Sequence, residues 1–227
     1  MKIITLTNKG YIKYTDNLLA SCIQNNVNLD IEICVMDKYT ENYYSKKGLK
    51  TVLVSNENNK KFLKQDSKDF GKYMITKLDI IHTYLKNNSH VTYLDGDIVI
   101  KEDFIPYLKN NFSNYDLLIQ NDLKPQKPNF ENLCAGFMSI KSSEKTKEFF
   151  NTDNISKEEI LTGLHDQKYI NQNKHLLNYL KLPLDLFPNG PHFYLYSKKL
   201  QPFIIHFNHL LGNIKRKKMK EMNEWYL

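Results

Sequence analysis

The sequence predicts an α/β fold: one domain across residues 1–227, with a mostly parallel central sheet covered by helices. Three observations carry this reading. Strand-length apolar runs alternate with helix-length amphipathic ones through the first half of the chain, as they do where parallel strands are joined by crossover helices. Hydrophobic residues at 41% and charged residues at 25%, with 15 Tyr and 12 Phe, exclude a disordered chain. The apolar run 91–100 is broken by two carboxylates, Asp95 and Asp97, in a fold class that binds ligands beyond the carboxyl ends of its strands.

The elements follow in order. Residues 3–7 read as a strand, and 16–24 as a helix carrying Leu18, Leu19 and Ile23 on one side. Residues 31–36 and 51–54 are rich in β-branched side chains and read as strands. Between 70 and 85, Tyr73, Met74, Lys77, Leu78, Ile81 and Leu85 recur at helical spacing. Asn87, Asn88 and Ser89 end that helix, and the strand bearing Asp95 and Asp97 follows. Residues 117–120 and 135–140 are strand-like, 144–150 and 166–177 helix-like, and Pro183, Pro188, Gly190 and Pro191 mark an irregular region.

Bulk properties narrow the classes. The three cysteines, Cys22, Cys34 and Cys134, fit neither a disulfide framework nor a zinc pattern, so they read as reduced thiols. The N-terminal apolar run is too short for a signal peptide and no stretch has membrane-spanning length, which leads us to expect a cytoplasmic protein. Net charge is +7, partly gathered at Lys215, Arg216, Lys217, Lys218 and Lys220. Such a run is most often a solvated helix face; otherwise it suits phosphates, nucleic acid or an anionic membrane surface.

The chemistry centres on Asp95-Gly96-Asp97. An unpaired buried charge is costly, so two acids inside an apolar run imply a neutralising partner. Side chains at i and i+2 of an extended segment point the same way, and oxygen ligands suit Mg²⁺ or Mn²⁺. A second constellation, residues 203–215, places His206 and His209 after an apolar strand, followed by Gly212 and Lys215. Imidazole can join the ligands of such a cation, Gly212 would admit a phosphate close to the backbone, and Lys215 would add a positive charge. Whether His206 replaces or joins His209 at the metal is open at this level. Ala135-Gly136 would let a ligand or backbone approach closely, or simply serve sheet packing. Asp166-Gln167 heads a helix, where Asp166 could equally act as N-cap.

These four segments, in this order, resemble those of retaining, metal-dependent glycosyltransferases of the GT-A fold, a Rossmann-like α/β architecture. The chain is similar to nucleotide-diphospho-sugar transferases that include the α-galactosyl- and α-xylosyltransferases, and to the glycogenin-like family. The resemblance implies a glycosyltransferase that moves a sugar from a nucleotide-diphosphate donor, usually UDP-linked, to a glycan, protein or lipid-linked acceptor. It implies Mn²⁺ or Mg²⁺ held by Asp95, Asp97 and His209, with Gly96, Gly212 and Lys215 near the diphosphate. Thr5, Thr7 and Asn8 would cradle the nucleoside, Tyr11 would stack on the base, and Lys77, Ala135 and Gly136 would stand near the donor. Asp166 and Gln167 would line the sugar at its anomeric carbon. Residues 1–100 become mainly the nucleotide half and 101–227 mainly the acceptor half. In a retaining transfer the departing phosphate oxygen can itself act as base, so the resemblance demands no dedicated basic side chain. Cys134 stands where the family often has Asn, and Arg216-Lys217 where it has Pro-Trp; both bear on sugar choice.

Two other functions compete. A nucleotidyltransferase making nucleotide sugars could share the sheet and the acids, but Thr7-Asn8-Lys9-Gly10 is a poor substitute for the glycine-rich, arginine-bearing loop expected there. A nucleic-acid-binding protein would account for the sequence pI near 9.0, although no specific nucleic-acid partner is expected. The basic segment also raises peripheral contact with a membrane.

Overall fold

A computed structural model describes residues 1–54, 68–124 and 131–227. Nine strands are defined among them: β1 Lys2–Thr7, β2 Ile31–Val35, β3 Thr51–Leu53, β4 His90–Leu94, β5 Ile98–Ile100, β6 Leu117–Asn121, β7 Leu133–Lys141, β8 Tyr179–Leu182 and β9 Ile204–His206. The helices are α1 Ile12–Gln24, α2 Lys38–Ser45, α3 Lys68–Asn87, α4 Ile105–Asn111, α5 Glu144–Phe149, α6 Lys157–Leu161, α7 Asp166–Asn173, α8 Gly190–Tyr196 and α9 Gly212–Glu221.

Seven strands form the central sheet in the order β3-β2-β1-β4-β7-β6-β8, while β5 and β9 pair in a separate two-stranded sheet. Strands β1 to β4 are mutually parallel, as the alternation of strands and helices predicts. Strand β7 runs antiparallel to both neighbours, so the sheet is mixed at its centre. That reversal has a local cause, because β6 and β7 follow each other with no intervening helix among the described residues.

The core lies on both sheet faces. Ile4, Leu78, Ile81, Val91, Tyr93, Met138 and Ile140 are buried on one, which is why α3 repeats its apolar residues at helical spacing. Leu18, Leu94, Phe104, Phe137, Phe187 and Ile204 fill the other. The side chains of Tyr73 and Met74 fall outside the described residues.

Two expectations shift in ways that matter for the site. Residues 91–100 are not one strand: β4 ends at Leu94, a turn closed by Ile98 N donating to Asp95 O (3.1 Å) follows, and β5 opens in the second sheet. The irregular region around Pro188 opens helix α8, capped by Asn189 Oδ1, which accepts from His192 N at 3.0 Å. The C-terminal residues bind back onto α1, with Asn17 Nδ2 donating to Glu224 O (3.0 Å) and Tyr226 N to Asn17 Oδ1 (2.7 Å).

Phe104 tests the second core. Its ring is fully buried and meets Phe137 edge-on at 5.3 Å. Phe104→Ala should destabilise the protein by about 3–5 kcal/mol, read as a lowered midpoint in urea unfolding.

Candidate active site

The carboxyl end of β4, the start of β5, the ends of β6 and β9 and the head of α7 converge on a cavity of about 220 Å³. Its walls carry four carboxylates, Asp95, Asp97, Asp122 and Asp166, against two ammonium groups, Lys77 and Lys215. The carboxylates outnumber the ammonium groups by two. Burial opposes a charge on His206, but Asp97 beside it raises its pKa well above the ordinary imidazole value, so without a cation the ring answers part of that excess.

The pairing is specific. Lys77, fully buried on α3, lies 3.0 Å from Asp95 Oδ1 and 2.6 Å from Asp166 Oδ2, and donates to Ala135 O at 3.3 Å. Burial alone would depress the Lys77 pKa, but the charges of Asp166 and Asp95 raise it above the ordinary lysine value. Burial would likewise raise the pKa of Asp166, yet the charge of Lys77 and its hydrogen bond hold it down to about 2. Lys215 Nζ donates to Asp97 Oδ2 from the first turn of α9. Burial opposes the ionised form of Asp97 too, but Lys215 and His206 keep its pKa well below the usual carboxylate range.

The imidazole beside the acid pair belongs to His206. Its Nε2 lies 3.2 Å from Asp97 Oδ1 and 3.7 Å from Asp95 Oδ2, and one ligand atom from each of the three residues falls within 4.8 Å of the others. The expectation for His209 is not what the geometry gives: its Nε2 donates to Asp122 Oδ1 at 2.8 Å. The reason is strand register. His206 ends β9 opposite Ile98, one residue after Asp97, whereas His209 lies past the strand with φ of 62°.

These residues fit a divalent cation. Gln120 Nε2 donates to Phe187 O (3.1 Å) and Pro188 O (3.0 Å), which turns Gln120 Oε1 toward His206 Nδ1 at 2.7 Å. His206 therefore carries its proton on Nδ1 when neutral, leaving the Nε2 lone pair toward the acids, as a ligating imidazole requires. Gly136 completes the cradle. A Cβ there would meet His206 Cε1 at 2.1 Å and Asp95 Oδ2 at 2.7 Å. Its carbonyl accepts from Asp95 N at 2.7 Å, and the β6–β7 register shifts beside it, from Ile119 opposite Met138 to Gln120 opposite Cys134. The close approach expected at Ala135-Gly136 is thus made by an imidazole and a carboxylate.

Asp122 is the second hub, with oxygens that accept from Asn208 Nδ2 (3.0 Å), His209 Nε2 (2.8 Å), Asn132 Nδ2 (2.9 Å) and Gln167 Nε2 (3.2 Å). Burial would raise its pKa, but the hydrogen bond from His209 and the charge of His206 lower it. Because Asp122 takes the amide NH₂ of Gln167, the carbonyl Oε1 of Gln167 is left for the cavity. Helix α7 is capped by His165, not Asp166; His165 Nδ1 accepts from Lys168 N at 3.4 Å.

Of the remaining expected residues, Tyr11, Gly96, Ala135 and Lys215 line the cavity with the acids. Thr5, Thr7 and Asn8 are fully buried at the end of β1, and Thr5 Oγ1 and Asn8 Nδ2 find no hydrogen-bond partner among the described residues. Gly212 stands at the start of α9 with φ of 48°, and its carbonyl accepts from Tyr14 Oη at 2.7 Å. The sequence reading missed Gln120, Asp122 and Asn208. For the first two a signal existed: Leu117-Leu118-Ile119 runs into Gln120-Asn121-Asp122, the same polar break at a strand end that marks Asp95.

Comparison with known proteins agrees with this architecture. The nucleotide-diphospho-sugar transferase family matches residues 30–222. The chain belongs to that family. A UDP-galactose:fucoside alpha-3-galactosyltransferase of Dictyostelium discoideum is 28% identical over 185 residues, covering 65% of this chain and 27% of that protein. The chain thus spans about a quarter of the length of that relative. The galactosyltransferase LgtC, solved with donor and acceptor sugar analogs, superposes with a TM-score of 0.69 at 12% identity over 100% of this chain and 95% of its own. Glycosyltransferase GlyE of Streptococcus pneumoniae TIGR4 gives 0.64 at 15% identity, covering 100% of this chain and 60% of its own. Mouse xyloside xylosyltransferase 1 gives 0.58 at 12%, covering 92% and 97%. These likenesses establish the GT-A fold.

Gly136→Ala should displace the His206 ring and weaken Mn²⁺ binding by about 10–100-fold, the usual effect of disturbing residues that orient metal ligands. Isothermal calorimetry reads the affinity, and an unchanged far-UV spectrum would show that the fold persists.

Proposed function

We propose that the protein is a metal-dependent glycosyltransferase that takes a sugar from a UDP-linked donor and retains its anomeric configuration. The observation that carries this reading is the convergence of Asp95, Asp97 and His206 in a cavity whose carboxylates outnumber its ammonium groups, with Gln120 fixing the imidazole so that Nε2 faces the acids. Mn²⁺ or Mg²⁺ suits this mixed oxygen and nitrogen set. Bound there, the cation would supply Lewis-acid stabilisation of the charge on a departing diphosphate.

The chain's own groups do the rest. Lys215, beside Asp97, would answer the same charge, and Gly212 would let the backbone come near the diphosphate. The unpartnered Thr5 Oγ1 and Asn8 Nδ2 at the end of β1 support a cradle for the nucleoside, with Tyr11 at its edge. Gln167, held by Asp122, would offer its carbonyl to positive charge developing at the anomeric carbon. Asp166 is locked by Lys77, so its role is to fix the head of α7 beside the sugar rather than to move a proton.

A UDP-hexose such as UDP-galactose is the donor favoured by the Dictyostelium relative, whose name also supports retention: an alpha-linked donor gives an alpha-linked product. The acceptor is a glycan, a protein or a lipid-linked sugar. Exposed Leu211 and Ile214 beside exposed Lys217 and Lys220 support a peripheral contact with an anionic membrane that would present it. No helix among the described residues is long and apolar enough to cross a membrane.

UDP release from UDP-sugars should require Mn²⁺ or Mg²⁺ and stop on addition of EDTA. Asp97→Asn should reduce it by about a thousandfold while the variant still unfolds cooperatively. Wild-type turnover in EDTA, or in the variant, would contradict the assignment.

A further inference from the structure

His209 is left without a task by the reading above, yet its placement is elaborate. It lines the cavity with its side chain 29% exposed, on the segment that joins His206 to Gly212 and Lys215. That segment is pinned on both sides. Phe207 N donates to Asp97 O at 3.2 Å, while Asn208 accepts from Gly190 N (2.9 Å) and donates to Asp122. His209 itself is held at a φ of 62°, a left-handed conformation that is uncommon outside glycine and clusters at functional sites.

Asp122 decides what the ring can do. An ionised carboxylate has about four acceptor positions, and Asn132, Gln167, Asn208 and His209 occupy as many. Asp122 is therefore saturated and cannot take a substrate hydroxyl without losing a partner. The carboxylate accepts, so His209 Nε2 carries the proton and the neutral ring presents Nδ1 as a bare acceptor. Nδ1 meets no partner among the described residues. Nucleophile activation uses this arrangement elsewhere: an imidazole whose far nitrogen is fixed by a buried carboxylate.

We propose that His209 is the general base for the acceptor, oriented by Asp122. The proposal rests on the transferase reading and deepens it. The acceptor oxygen forms its bond to the anomeric carbon as the bond from that carbon to the diphosphate oxygen breaks. The electron pair of the broken bond leaves with the diphosphate, and the acceptor's hydroxyl proton passes to His209 Nδ1. Asp122 stabilises the imidazolium, which then releases the proton to solvent. His209 lines the same cavity as Asp95, Asp97, His206 and Gln167, so its ring borders the space in which the donor would react.

Azide distinguishes this role from a structural one, because it is already an anion and needs no base. Wild type, H209A and H209N are compared with UDP-galactose, UDP-glucose and UDP-xylose plus Mn²⁺, with water as acceptor and then with added sodium azide. In both variants UDP release with water should fall by about a hundredfold or more, in kcat rather than in donor KM. Azide should restore turnover and yield the glycosyl azide. Calorimetry with UDP and Mn²⁺ should give a Kd within about twofold of wild type. Equal loss with water and azide, a threefold or smaller loss with water, or weakened UDP binding would each overturn the role of His209 while leaving the transferase reading intact. A wild-type protein that releases UDP from none of the three donors would instead overturn that reading, and this proposal with it.

Discussion

The structure depends on one constraint: four aspartates share a small cavity, and their charge must be answered. Asp97, Asp122 and Asp166 are almost wholly buried, where an uncompensated carboxylate costs several kcal/mol. Lys77 answers Asp95 and Asp166 together, Lys215 answers Asp97, and amides and imidazoles satisfy the rest. Each of these partners arrives from a different part of the chain. The fold can be regarded as the scaffold that delivers them, and it leaves carboxylates in excess of ammonium groups around the cavity.

Delivery relies on backbone detail as much as on side chains. The turn at Asp95-Gly96-Asp97 moves the chain from the large sheet into the small one, so that β5 can pair with β9 and bring His206 across from Asp97. The antiparallel β7 then passes beneath with a glycine where any Cβ would strike that imidazole. Gln120 at the end of β6 fixes the ring. The acid pair, the imidazole facing it, the glutamine that orients the ring and the glycine under it come from three strands and the turn between β4 and β5, an arrangement that holds the site rigid.

Much of this was legible in the sequence, for physical reasons that differ by residue. The period of apolar residues along α3 and the β-branched runs of β1, β2 and β4 report directly which faces are buried. Asp95 and Asp97 stand out because charge inside an apolar run is expensive. Which imidazole faces the acid pair was not legible. His206 and His209 are three residues apart, and only the pairing of β9 with β5 decides which ring faces the acids. Asp122 escaped for a related reason: alone it is an ordinary strand-end acid, and its weight comes from Asn132, Gln167, Asn208 and His209, which converge on it only in three dimensions. The reversed direction of β7 was equally hidden, because an apolar strand reads the same in either orientation.

The most direct measurement is a crystal of the protein with Mn²⁺ and UDP, with data collected at the manganese absorption edge. The account predicts one anomalous peak bonded to carboxylate oxygens of the aspartate pair and to the Nε2 atom of His206, with the diphosphate on its open side. A peak ligated by His209, or no ion between the two aspartates, would contradict it.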